Sequence, residues 1–380
     1  MGGRLALRTF VVASILTGVA ACASVPRVPL AALDQAQVSG IPNARFWSDD
    51  TSRASAVPTV AARPLTILAL SGGGAEGAYG AGFLKGWSAT GQRPRFDIVT
   101  GTSVGSLMAP FAFLGSDYDP ILEAVFTSGV AEDLLRIDGV NAIIGSGVFK
   151  SEPLKLLIAR YATADLLDAI AVQHRKGRLL LIATTNLDAQ RTTIWNMGAI
   201  AASETPNRLS LFRAIMAAST SIPGVFAPTF IDVEANGALY SEMHVDGGVT
   251  SNVLAVPEAI LTGNVRAQAG SRVFIVVNGK LAPDAALTSD AMIPIVARSF
   301  WTTVKANTRN TLIATYEFSR RNKWSFFVTA IDAGRAIETQ RINFDTAYMR
   351  DLFAYGFAKG SSGHGFQTTL EGMSAHATAR

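Results

Sequence analysis

The chain has 380 residues, of which 49% are hydrophobic and 16% charged, with a formal net charge of +4. That length and composition support a sizeable core in one large domain or two small ones. Basic residues are scattered, which excludes the clustered charge of a nucleic-acid-binding protein, and a single cysteine excludes an intrachain disulfide.

Residues 1–21 read as a targeting segment. Arg4 and Arg8 give a positive start, and Phe10 to Ala20 is an apolar stretch too short to span a bilayer as a mature helix. It ends in Val19-Ala20-Ala21-Cys22, and small residues before a cysteine resemble the bacterial lipobox. The resemblance implies that Cys22 is lipidated and becomes the mature N-terminus; an ordinary secretory signal cleaved near Ala21 is the alternative. Alanine at position 23, by resemblance to enterobacterial sorting rules, favours the outer membrane of a bacterial envelope. Residues 22–62 are rich in Ala, Ser, Pro and Val without a sustained period, as in a tether.

The folded part is expected over 63–360. Leu65 to Leu70 is a largely apolar run followed by glycines, as in a buried strand, and Ala78 to Ala89 reads as a helix. Phe96 to Thr100 is a second strand, followed by a helix over 104–114 and helical stretches near 118–128, 152–161 and 163–174. Leu179 to Thr184 is a further buried strand, with Thr192 to Trp195 pairing back across a turn. A helix over Leu209 to Ala218 ends at a loop running to Pro228. Strands follow near 229–233, 239–245 and 272–277, then an amphipathic helix over 291–319, a strand at 325–329 and a helix at 345–358. Residues 361–380 form a Gly/Ser/Thr-rich tail expected to be flexible. Strands alternating with helices predict an α/β fold, three layers deep, with a mainly parallel central sheet.

Three pieces of chemistry sit at strand ends. The first is Ser71-Gly72-Gly73-Gly74-Ala75-Glu76-Gly77, just before a helix, where exposed amides and the helix dipole favour a phosphate or a transient oxyanion. Gly72, Gly74 and Gly77 also satisfy the dinucleotide fingerprint G-x-G-x-x-G, with Asp97 about 20 residues on. Asp97, however, sits near the start of its strand, whereas a ribose-binding acid belongs at the end. The absence of a following Gly-Lys-Ser/Thr excludes a Walker loop. The second piece is Gly101-Thr102-Ser103-Val104-Gly105 between strand and helix, the context of a nucleophile elbow, with Gly101 and Gly105 permitting the sharp turn. The third is Asp246-Gly247-Gly248, a turn that presents a carboxylate at a strand end as a base for Ser103. The other bases would be histidines, of which there are four: His174, His244, His364 and His376. Ser103–Asp246–His364 has the chain order of an α/β-hydrolase triad, but His364 falls in the tail. His244 shares a strand face with Asp246, as a bystander or supporting partner, and His174 reads as a surface residue.

Together these motifs resemble the patatin-like phospholipase family. Gly72-Gly73-Gly74-x-x-Gly77 is similar to its oxyanion loop, Gly101 to Gly105 to its elbow, and Asp246-Gly247-Gly248 to its aspartate motif. Ser219 to Pro228 and Gly248 to Asn252 resemble supporting segments. The resemblance covers roughly 65–280. It implies a Ser103–Asp246 dyad that hydrolyses lipid carboxylic esters through an acyl-enzyme. The oxyanion is then held by Gly73 and Gly74, with Gly72 as a third donor, and neither metal nor cofactor is needed. The implied substrate is a phospholipid, lysophospholipid or acylglycerol. Where the family commonly has arginine in the glycine loop, this chain has Glu76, which tilts the expectation toward neutral or lyso substrates. The competing readings are a membrane-anchored binding module that keeps the fold without catalysis, and a conventional Ser–His–Asp hydrolase. Met108, Phe111 and Phe113 are candidates for an acyl pocket as well as for plain core, and Phe300 and Trp301 for a cap or lipid contact as well as for packing.

Overall fold

The computed structural model describes residues 25–50, 63–135, 152–258, 261, 268–336 and 344–370. Among the described residues nine strands form one sheet: β1 (Arg45–Trp47), β2 (Thr66–Leu70), β3 (Ile98–Thr102), β4 (Leu179–Asn186), β5 (Arg191–Asn196), β6 (Thr229–Ala235), β7 (Ala238–Asp246), β8 (Arg272–Lys280) and β9 (Ser325–Ile331). Their order is β1-β5-β4-β3-β2-β8-β9, with the β6–β7 hairpin joined through β7 to β4. The central strands β4, β3, β2, β8 and β9 are mutually parallel, while β1, β5 and the hairpin are antiparallel additions.

Both sheet faces are covered, giving three layers. Along β2 the alternation of a strand sends Leu68 and Leu70 into one core and Ile67 and Ala69 into the other. Four apolar residues in a row, Ile67 to Leu70, are thus the mark of a strand buried on both sides. The first core receives helices α1 (Gly77–Ala89), α2 (Val104–Leu114), α3 (Asp119–Thr127), α4 (Val130–Leu135), α5 (Glu152–Tyr161), α6 (Ala164–Arg175), α7 (Met197–Ala202) and α8 (Arg208–Ser219). The second is closed by α9 (Met292–Arg321), through Leu312 and Phe318, and by Val253 to Val256. The last helix, α10 (Thr346–Ser361), is capped by Asp345, whose carboxylate accepts the Tyr348 N–H at 2.7 Å, and packs on α1 beside the first core.

One feature of the register builds the site. β3 pairs with β4 only as far as Thr102 opposite Ala183. At the next β4 residue, Thr184, β7 takes over, with Asp246 opposite. β7 therefore continues the line that β3 leaves, and its last residue arrives beside the residue that follows β3.

Two expectations about the ends are corrected. Residues 25–50 belong to the folded body, not to a tether. β1 extends the sheet on β5, and Val28, Ala32, Leu33 and Ala36 pack on Val233 and Ala235 of β6. The physical anchor is Arg45, buried in an ion pair with Glu242 and with its guanidinium 4.5 Å from the Trp47 ring centroid. The start of the tail is also held. Phe366 packs edge-on against Phe83 and Trp87 at 4.9 and 4.8 Å, and the backbone of Gln367 pairs with Val328. Residues 1–24, 51–62 and 371–380, including Cys22 and His376, lie outside the described residues.

Candidate active site

Ser103 sits between β3 and α2 with φ of 52° and ψ of −127°, a backbone conformation that costs an L-residue about 1–3 kcal/mol. The turn is tight because α2 starts against the end of β2. A Cβ on Gly105 would lie 2.3 Å from the carbonyl oxygen of Leu70, so only glycine fits. The Ser103 hydroxyl donates to Asp246 Oδ2 at 2.6 Å, with no histidine between them.

Asp246 is fixed from several sides. Its N–H donates to the Ser221 carbonyl at 2.9 Å, its Oδ1 accepts the Gly248 N–H at 2.7 Å, and its own carbonyl accepts the Thr185 hydroxyl at 3.0 Å. Only 2% of its surface is exposed. Burial pushes its carboxyl up to about 7, against the opposing pull of the hydrogen bonds from Ser103 and Gly248. A carboxylate of that basicity can take a proton from a serine hydroxyl far better than an exposed one.

The glycine loop follows β2. Ser71 pins it to β8: its hydroxyl and carbonyl accept from the backbone N–H and side-chain amide of Asn278 at 2.8 and 2.7 Å. The Gly72 N–H is already bonded to the Asn252 carbonyl at 3.2 Å, so Gly72 is a strut of the loop and not the third oxyanion donor. Gly73 lies so close to β8 that a Cβ would fall 1.9 Å from the Asn278 carbonyl oxygen. Among the described residues, no backbone acceptor takes the N–H of Gly73 or Gly74. Gly74 and Ser103 line the same cleft.

The space in that cleft, counted with its open mouth, is about 490 Å³. Its walls are Val104 and Leu107 of α2, Val125 and Phe126 of α3, Ala131, Leu154 and Leu157 of α4 and α5, Thr220, Ile222 and Phe226 after α8, and Phe344. Met108, Phe111 and Phe113, by contrast, are buried in the core and do not line it. The Met108 sulfur lies 3.7 Å from Asn278 Nδ2 under the glycine loop, and the Phe113 ring lies 4.3 Å from the Arg178 guanidinium. Phe300 and Trp301 pack, partly buried, against the first core. Lower on the same helix, Thr308 accepts from the Asn252 side chain at 2.8 Å.

The other titratable residues are placed elsewhere. His244 is buried, with Nε2 3.1 Å from Glu242 Oε2 and Nδ1 2.9 Å from the Thr184 hydroxyl, which also accepts from Trp195 Nε1 at 2.8 Å. Burial keeps its ring below the usual histidine range, so it is neutral, with the proton on Nε2 facing the carboxylate. His174 is half-buried against Gly198, and His364 is exposed after α10. A Ser103–Asp246–His364 triad is therefore not formed. Asp97 accepts the Thr66 N–H at the start of β2, the wrong end of the sheet for a ribose. Glu76 is buried and does not line the cleft. Among the described residues, no group of three or more His, Cys, Asp or Glu side chains is placed to hold a metal ion.

A model of the patatin-like phospholipase family matches residues 68–259, just over half of the chain and the span that holds the glycine loop, the elbow and Asp246. The chain belongs to the patatin-like phospholipase family. Membership implies that this patatin-like protein hydrolyses carboxylic esters of lipids. Two solved structures resemble it at low identity. VipD from Legionella pneumophila is 12% identical with a TM-score of 0.34, over 77% of this chain and 67% of that one. The type III effector protein ExoU is 11% identical with a TM-score of 0.27, over 79% of this chain and 54% of that one. No curated protein matches this patatin-like chain in sequence.

Proposed function

We propose that the protein is a lipid acyl hydrolase working through a Ser103–Asp246 dyad. The observation that carries this reading is the 2.6 Å hydrogen bond between Ser103 Oγ and the buried Asp246 carboxylate, with Ser103 also lining an apolar cleft suited to an acyl chain. Asp246 takes the hydroxyl proton as Ser103 Oγ bonds to the ester carbonyl carbon. The oxyanion that forms is held by the Gly73 and Gly74 amides. Collapse breaks the ester bond, and the proton on Asp246 leaves with the alcohol. A water then gives its proton to Asp246 and attacks the acyl-serine, and the fatty acid departs as Ser103 recovers its proton. Each oxyanion donor contributes about 10²–10³ in turnover.

The apolar lining supports an acyl group and leaves the head group open, so phospholipid, lysophospholipid and acylglycerol substrates compete in the test. The purified protein is assayed on micelles of each. The reading predicts release of fatty acid that falls to background in Ser103→Ala; undiminished release by that variant contradicts it. The further proposal of an outer-membrane anchor at Cys22 rests on the lipobox resemblance alone. It predicts that the full chain partitions into detergent and that Cys22→Ser does not.

A further inference from the structure

We propose that Ser219 is a positioning residue for the reaction: its hydroxyl holds the backbone of Ser103 in the conformation that aims Oγ at Asp246. The inference rests on the dyad reading above and adds a residue to it.

Ser219 is the last residue of α8 and is fully buried. Its hydroxyl donates to the Ala183 carbonyl on β4 at 2.8 Å, which commits its one proton. Its lone pair then accepts the Ser103 N–H at 3.0 Å. The direction of the chain is fixed, from the Ser103 amide through Ser219 to β4. The link spans 116 residues of sequence and joins the elbow to two elements that do not otherwise supply the nucleophile.

The elbow needs such a link. With φ of 52°, Ser103 lies outside the regions open to L-residues at low cost, and strained conformations persist only where the surroundings over-determine them. Without the Ser219 oxygen, the Ser103 amide is a buried donor that has lost this acceptor, and the elbow loses a restraint against rotation toward an ordinary φ. The same rotation swings Oγ off the carboxylate. Two residues on, the Ser221 carbonyl holds the Asp246 amide at 2.9 Å. The turn is itself locked to α8, by the Thr220 and Ser221 hydroxyls donating to Met216 and Ala217 at 2.9 and 2.8 Å. One short rigid segment thus grips both members of the dyad. Its side chains Thr220 and Ile222 also line the cleft, so it sets the separation of nucleophile and base beside the bound acyl chain.

The test measures kcat, KM and the fluorophosphonate labelling rate for Ser219→Ala and Ser219→Cys beside the parent and Ser103→Ala. The proposal predicts that Ser219→Ala loses about 10- to 100-fold in kcat with little change in KM, as expected of a misplaced reacting group. The labelling rate falls in step, and the pH midpoint stays near 7 because Asp246 is untouched. Ser219→Cys, with a weak acceptor of similar size, falls between Ala and the parent and covers the case in which the alanine variant does not fold. Folded variants with kcat within about twofold of the parent overturn the proposal, as does a rise in KM at constant kcat. If Ser103→Ala itself stays active, the dyad reading fails, a result distinct from the failure of Ser219 alone.

Discussion

Replacing Asp246 with asparagine is expected to stabilise the fold above neutral pH while abolishing turnover. The carboxyl lies 2% exposed at the end of β7, and burial raises it from 3.8 to about 7. Because its folded pKa lies above its unfolded value, the native state binds the proton more tightly. Its contribution to stability is complete below about pH 4 and is lost as pH rises to about 7. A shift of about three units at 1.36 kcal/mol each amounts to about 4 kcal/mol, withdrawn fully once the carboxylate is ionised. Asparagine keeps an oxygen for the Gly248 N–H and a polar group for the Ser103 hydroxyl, so the two main contacts survive the change. Urea unfolding followed between about pH 4.5 and pH 8 should therefore show Asp246→Asn gaining about 3 kcal/mol on the parent across that range. A difference independent of pH would refute the reasoning, since it would mean that Asp246 is ionised in the native state throughout.

Three further outcomes follow from the same geometry. Because the base must be ionised to accept the Ser103 proton, kcat/KM should rise with pH to a plateau with a midpoint near 7; a flat profile across that region contradicts Asp246 as the base. Arg45→Ala leaves Glu242 buried beside a neutral His244, and should cost about 3–5 kcal/mol in chemical denaturation, against almost nothing if residues 25–50 were a tether. His364→Ala should leave ester turnover within about twofold of the parent, whereas a Ser–His–Asp enzyme would lose at least about 10³-fold.

The local features of this chain were legible and the long-range ones were not. Leu65 to Leu70 and Leu179 to Thr184 announced themselves as strands because burial on both faces requires largely apolar runs. The elbow was visible because a sharp strand-to-helix turn needs small residues at fixed positions around Ser103. β1 was missed because it is three residues long and anchored by an arginine, which reads as exposed until Glu242 is placed beside it. Phe366 looked like part of a loose tail because its partners, Phe83, Trp87 and Phe274, are distant in sequence. Within the site, Gly72, Gly73 and Gly74 are indistinguishable as a motif. Only the Asn252 carbonyl, 180 residues on, shows that the first amide is already taken. The sequence left Met108, Phe111 and Phe113 open between acyl pocket and core for a related reason, and the core alternative is the one observed. Helix periodicity shows that α2 has a buried side, but not which residues meet the sheet and which meet α3 and α5.

On the proposed mechanism Ser103 is a nucleophile activated by Asp246 alone. Fluorophosphonate labelling of the protein lacking residues 1–22, with the modified residue mapped by mass spectrometry, tests it most directly. A single adduct on Ser103 is expected, lost in Asp246→Asn and unchanged in His364→Ala. An adduct on another serine, or labelling of Ser103 that survives the loss of the Asp246 carboxylate, would contradict it.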